Sequence, residues 1–184
     1  MTTKLNSFIL PDSVIQKMKK NVDYSRFENI EFGFNLCSDS NNLEDQKGQE
    51  GQKGQKLLHD EKQCLGNECS IDIPKGCEKG DHVGLFHTHA GSSSKPSILD
   101  ILNAYKLSIN CIGSTEENNI KCYVRKDKTY KTEERDNIIA AMISYEHPLL
   151  LSNIPPEEDI ENYRKWTKAR KELTLQYLNT VEVI

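Results

Sequence analysis

The stretch 84–100, GLFHTHAGSSSKPSILD, constrains this chain more than any other part of it. An apolar run ends in two histidines separated by one residue, a loop of glycine and serine follows, and then a segment with helical spacing begins. In a strand alternate side chains share a face, so His87 and His89 leave the same side and can converge on one point. A strand that runs through a short loop into a helix is a building unit of sheets covered by helices, and it sets the expected class as α/β.

The rest of the chain supplies the other elements of such a fold. Residues 11–21 open with Pro-Asp-Ser and place Val14, Ile15 and Met18 on one face, which predicts a short amphipathic helix. In residues 29–37, Ile30, Phe32, Phe34 and Leu36 alternate with Glu31, Gly33 and Asn35, the pattern of a strand with one acid on its second face. Short strands are expected over 68–73 and 82–87, joined by the turn-rich PKGCEKGD. A helix over 96–107 has Pro96 in its first turn, and strands over 108–113 and 120–125 follow. Helical spacing returns over 132–144 and over 157–179, with Pro148, Pro155 and Pro156 between the two.

Residues 38–63 differ in kind. QKGQ and QEGQ units recur there without an apolar period, so the ordering entropy would go uncompensated and a low-complexity flexible insertion loop is expected. His59 within it reads as an exposed bystander. Apart from this loop, the 184 residues are expected to form one domain with a mixed β-sheet flanked by helices and with extra helices at the C-terminal end.

Charge and cysteine content narrow the function classes. A formal net charge of -4, with lysines scattered among acids, provides no basic footprint for nucleic acid. The opening apolar run breaks at Pro11 and Asp12, too early for a signal sequence, and no stretch approaches a membrane span, so a soluble cytoplasmic protein is expected. Cys37, Cys64, Cys69, Cys77, Cys111 and Cys122 make an even count, but a chain of this length without a secretion signal requires no disulfide framework, and buried thiols are expected. Cys64, Cys69 and Cys77 lack the C-x2-C knuckle of structural zinc sites, which favours packing on strands over a second zinc.

Zinc accepts imidazole nitrogen and carboxylate oxygen, and catalytic sites use three protein ligands and leave a fourth position to water. Asp100, in the first turns of the helix after the histidines, is the nearest suitable third ligand. Ser97 lies three residues before it, on the same helix face. Taken alone, S-x-x-D is also a capping-box start signal that needs no chemistry. The coincidence of all four positions has a chance probability on the order of 10⁻³ or less at ordinary composition. His82 and His147 have no ligand partners at useful spacing and read as surface histidines. Cys111 reads as a buried strand thiol, and Tyr163 and Trp166 as core.

H-x-H, seven residues, then S-x-x-D, read as His87, His89, Ser97 and Asp100, resembles the signature of the JAMM (MPN-plus, JAB1/MPN/Mov34) zinc peptidases, in particular single-domain prokaryotic-like members. The resemblance covers residues 11 to about 125. It implies a three-layer, cytidine-deaminase-like fold, one Zn2+ per chain on His87, His89 and Asp100, and hydrolysis of amide or isopeptide bonds. It also implies Glu31, opening EFGFNLC, as general base and acid, and Ser97 as hydroxyl donor to the tetrahedral intermediate. Gly33 falls one position earlier than in many members, and Ala90 stands where proline is common. The substrate class implied is ubiquitin or a ubiquitin-like conjugate, its tail added as a strand beside 113–120 or the loop after His89. A peptidase for maturation or cell-wall peptides and a metal-free scaffold module are the alternative readings.

Overall fold

The structure, a computed structural model, describes residues 2–39, 55–66, 73, 76–127, 129–146 and 157–184, with side chains from 160 onward in the last segment. Most of the expected strand over 68–73, together with Cys69, His147, Pro148, Pro155 and Pro156, lies outside the described residues, as do residues 40–54 of the expected loop.

Two short strands begin the chain. β1 (Thr2–Leu5) and β2 (Phe8–Pro11) pair antiparallel about Asn6, whose φ of 53° is the left-handed conformation asparagine tolerates in turns. Elements of four residues are too short for periodicity to show. Helix α1 (Asp12–Glu28) then runs seven residues beyond the expected Asn21 and stops at Asn29, again left-handed. Its buried stripe of Val14, Ile15, Met18, Asn21, Val22 and Ser25 keeps helical spacing but changes from apolar to polar, which hid the second half.

β3 (Phe32–Ser38) pairs antiparallel with both β4 (Lys56–Leu65) and β5 (Asp81–His89). β4 corrects the sequence reading, because residues 56–63 were expected to be loop. Their composition is polar, but β3 on one side and a parallel contact with β2 on the other satisfy the backbone, Leu58 is buried, and Lys17 of α1 pairs with Asp60 at 2.5 Å. The sheet continues through β6 (Ile109–Ser114), β7 (Asn119–Arg125) and β8 (Leu178–Glu182), in the order β1-β2-β4-β3-β5-β6-β7-β8. The α/β class with a mixed sheet is as expected.

The chain divides into two compact units. The first holds residues 1–94, 111–122 and 181–184, and so contains at least part of every strand. Within it α1 covers one face of the sheet. Phe32 stacks near Tyr24 and Phe34 near Phe86, and a Cβ on Gly113 would sit 2.5 Å from Val22 Cγ2, so glycine there lets the helix approach. Alternation places Glu31, Gly33, Asn35 and Cys37 on the other face.

The second unit holds residues 95–110 and 123–180, with α2 (Ile98–Leu107), α3 (Thr132–Ala141), a π-helical turn (Met142–Glu146) and α4 (Glu157–Tyr177). Buried Tyr105 ties α2 to the start of α3, donating its hydroxyl to Glu134 at 2.7 Å and accepting from the Lys131 amide at 2.9 Å. α4 ends at Tyr177, two residues before the expected Asn179, because Leu178 begins β8. Tyr163 is 55 % exposed and Trp166 half-buried beneath the Arg170 guanidinium, which corrects their expected place in the core.

The cysteines also differ from expectation. Cys37 and Cys111 are buried on strands, but Cys37 is joined to Cys77 and Cys111 to Cys122 as disulfides, and Cys64 is the free thiol among the described residues. Cys111 and Cys122 face one another across neighbouring strands, whereas the forty-residue separation of Cys37 and Cys77 leaves no local signature.

Candidate metal centre

His87 and His89 end β5 on the sheet face away from α1, as their spacing predicts, and their Nε2 atoms lie 3.1 Å apart. His87 sits opposite Gly33, which presents no side chain toward the imidazole. His89 is oriented by its other nitrogen: Nδ1 lies 2.9 Å from the Ser93 carbonyl. A carbonyl can only accept, so the hydrogen is on Nδ1 and the Nε2 lone pair points inward, the tautomer a metal-ligating histidine needs.

The loop that supplies this carbonyl is tied to the β6–β7 turn. Ser114 donates to the Ser92 carbonyl at 2.7 Å, the Gly91 amide donates to Thr115 Oγ1 at 2.7 Å, and Ser94 donates to Glu117 at 2.7 Å. The Ser94 hydroxyl, with Asn119 and Lys121, holds the Glu117 carboxyl down at about 2.

Asp100 lies in the first turn of α2, and of the readings that S-x-x-D offered the capping box is observed. Ser97 and Asp100 do form a capping box: the Asp100 amide donates to Ser97 Oγ at 3.0 Å, and Asp100 Oδ2 accepts from the Ser97 amide at 2.8 Å. The Ser97 hydroxyl donates to the same Oδ2 at 2.7 Å, and Asn110 on β6 donates to Oδ1 at 3.2 Å. The carboxylate is thus fixed by three donors.

His87 and His89 belong to the first unit and Asp100 to the second, and all three side chains are buried or half-buried. Two imidazoles and one carboxylate form a borderline-soft donor set suited to Zn2+, and the pre-set tautomer of His89 fits the same ion.

Glu31 lies just before β3, at its buried end. Gly33 pairs with His87, and carrying that register two residues further sets Glu31 against His89 on the shared face. A short relay fixes its backbone on both sides. The Phe32 amide donates to Thr88 Oγ1 at 2.8 Å, Thr88 donates to Ser25 at 2.9 Å, and Ser25 donates to the Ile30 carbonyl at 2.6 Å.

Sequence reasoning missed four contributors: Thr88, the Ser93 carbonyl, Asn110 and Glu146. Asn110 did leave a signal, as a polar residue amid Ile109, Cys111 and Ile112 that must find a partner once buried. Glu146 left none. Its carboxylate accepts from the Ile98 and Leu99 amides, both at 2.9 Å, and so closes the N-terminus of α2 from the far side of the chain. Burial pushes its pKa up, and the nearby Asp100 charge adds to the effect. His82 is half-buried on β5 rather than a surface residue, and burial pushes its pKa down. His59, expected to be exposed, is on β4 beside Glu61 at 3.1 Å.

No family model matches the chain, and no curated protein matches it. No helix among the described residues is long and apolar enough to cross a membrane.

Proposed function

We propose that the chain is a zinc-dependent peptidase of the JAMM type that hydrolyses amide or isopeptide bonds, with ubiquitin or ubiquitin-like conjugates as its substrate class. The observation that carries this reading is the pair of histidine Nε2 atoms 3.1 Å apart at the end of β5, with His89 Nδ1 held by the Ser93 carbonyl so that its Nε2 is left for a metal. The H-x-H and S-x-x-D pattern supports it, and so does a mixed sheet of the kind the JAB/MPN, cytidine-deaminase-like fold would require.

His87, His89 and Asp100 would hold one Zn2+. The ion would supply Lewis acidity, which polarises a carbonyl and makes hydroxide available near neutral pH. Glu31 would accept the proton of the attacking water on its carboxylate and return it to the departing amine. Ser97 has one hydroxyl proton, which rests on Asp100 Oδ2. At rest it therefore orients the ligand, and turning that proton toward a developing oxyanion is its second role in the proposed reaction.

Zinc content by elemental analysis, measured on wild type, Asp100→Ala and Glu31→Gln together with cleavage of a ubiquitin-like fusion, tests the proposal. The expected result is one zinc in wild type, none in Asp100→Ala, and zinc without cleavage in Glu31→Gln. Zinc without cleavage in wild type would redirect the substrate class to other amides. A wild type that takes up no zinc even on reconstitution would sink the enzyme reading in favour of a scaffold module.

A further inference from the structure

A second group of metal-capable side chains sits at the other end of β3, on the same face of the first unit: Cys37, His59 and Glu61, whose ligand atoms also lie within 4.8 Å of one another. The sheet itself makes this group. Cys37 pairs directly with His59 across β3 and β4, so the two side chains share a face, and Glu61 follows His59 at the strand period. Cys37 lies four positions along β3 from Gly33, about 13 Å at strand rise.

Cys77 is joined to Cys37 from the turn before β5, and side chains of β3, β4 and β5 hold that turn. Glu61 accepts the amides of Glu78 at 2.5 Å and Lys79 at 3.0 Å, Asn35 donates to the Gly76 carbonyl at 2.8 Å, and the Gly76 amide donates to His82 Nδ1 at 3.3 Å. Gly80 presses on β3 so closely that a Cβ there would lie 2.1 Å from the Ser38 carbonyl oxygen. Separate side chains thus fix the backbone on both sides of the disulfide. His59 and Glu61 stand beside that bond, 33 % and 14 % exposed.

We propose that Cys37, Cys77, His59 and Glu61 form a second zinc site that opens when the Cys37–Cys77 disulfide is reduced. Two thiolates, an imidazole and a carboxylate make a closed tetrahedral set, the kind used in structural zinc sites. A dithiol reductant converts the disulfide to two thiols and leaves as its own disulfide. Zn2+ then binds as each sulfur releases one proton to solvent, with no change in the oxidation state of the metal. In the oxidised form neither sulfur is a thiolate and the set is incomplete. The hydrogen bonds that already hold Glu61 leave lone pairs for a metal, since an ionised carboxylate has about four acceptor sites.

The test uses the full chain carrying Asp100→Ala, which removes the ion of the candidate catalytic centre, in disulfide-bonded form and after dithiol treatment. Co2+ and Zn2+ are the probes. Thiolate-to-cobalt charge-transfer absorption and one equivalent of zinc are expected only after reduction. Cys111 and Cys122 are reduced by the same treatment, so Cys77→Ser and His59→Gln are the discriminating variants: the first should lose much of the absorption, the second should shift it, and both should weaken zinc binding at least tenfold. His59→Gln is a partly exposed strand position and keeps the test sound if Cys77→Ser folds poorly. Equal zinc content in the two redox states, or a cobalt spectrum unchanged in His59→Gln, would overturn the proposal.

Discussion

Thr88 occupies the middle of the H-x-H pattern, and its side chain faces away from the two imidazoles. It accepts the Phe32 amide and so fixes the backbone that presents Glu31. Thr88→Val keeps shape and removes the acceptor, leaving a buried amide without its partner, at a cost of about 1–3 kcal/mol. If Glu31 is the proton carrier, this variant should retain zinc while kcat falls, and zinc analysis beside single-turnover kinetics would separate the two effects. Glu117 makes a different prediction. Its folded-state pKa, about 2, is depressed from an ordinary 4.5, so its contribution to stability is complete above pH 4.5 and is lost as pH falls toward 2. Glu117→Gln should flatten the acid limb of the stability profile in that window, as read from denaturant midpoints. A profile parallel to wild type would show that the Ser94 contact is dispensable.

At the level of elements, α2 depends on a residue the sequence did not flag. Glu146 caps its first two amides, and Glu146→Ala leaves both without that acceptor, costing about 1–3 kcal/mol and raising exchange of the Ile98 and Leu99 amides in hydrogen-exchange measurements. On α1 the constraint is steric. Gly113→Ala would force Val22 away from the sheet and should lower stability by about 1–3 kcal/mol in thermal unfolding, without altering zinc uptake. What was legible in the sequence follows the reach of each signal. The strand at 32–38, the two histidines and the start of α2 are written in neighbouring residues, as alternation, spacing and a capping box. β4 was hidden because Leu58 is its one buried apolar residue, and β8 because it follows Tyr177 without a break. The Glu146 cap of α2 and the Cys37 partner of Cys77 come from distant parts of the chain, where pattern has no hold.

For the whole molecule, the two disulfides among the described residues carry the main consequence for stability. Bridges persist in oxidising compartments and are rare where glutathione and thioredoxin keep thiols reduced. Removing the Cys111–Cys122 bridge by a paired change to Ala frees a loop of about a dozen residues and should cost about 2–3 kcal/mol, measurable as a lower denaturant midpoint. The Cys37–Cys77 bridge should behave otherwise if zinc replaces it on reduction, because stability lost with the bond returns with the metal. Unfolding of the reduced chain with and without added zinc reads this directly.

The pairing of β3 with β5 also sets how the gene can change. Because strand side chains alternate, deletion of a single codon within 32–38 would shift the parity of everything on one side of it. Phe34 or Leu36 would turn toward the histidines, or Glu31 toward α1. Loss of two adjacent codons preserves parity and shortens the strand instead. Among small deletions in this segment, those that remove an even number of residues should be recovered more often in a library selected for folded protein, an imprint of the pleat on which lengths this strand can sample.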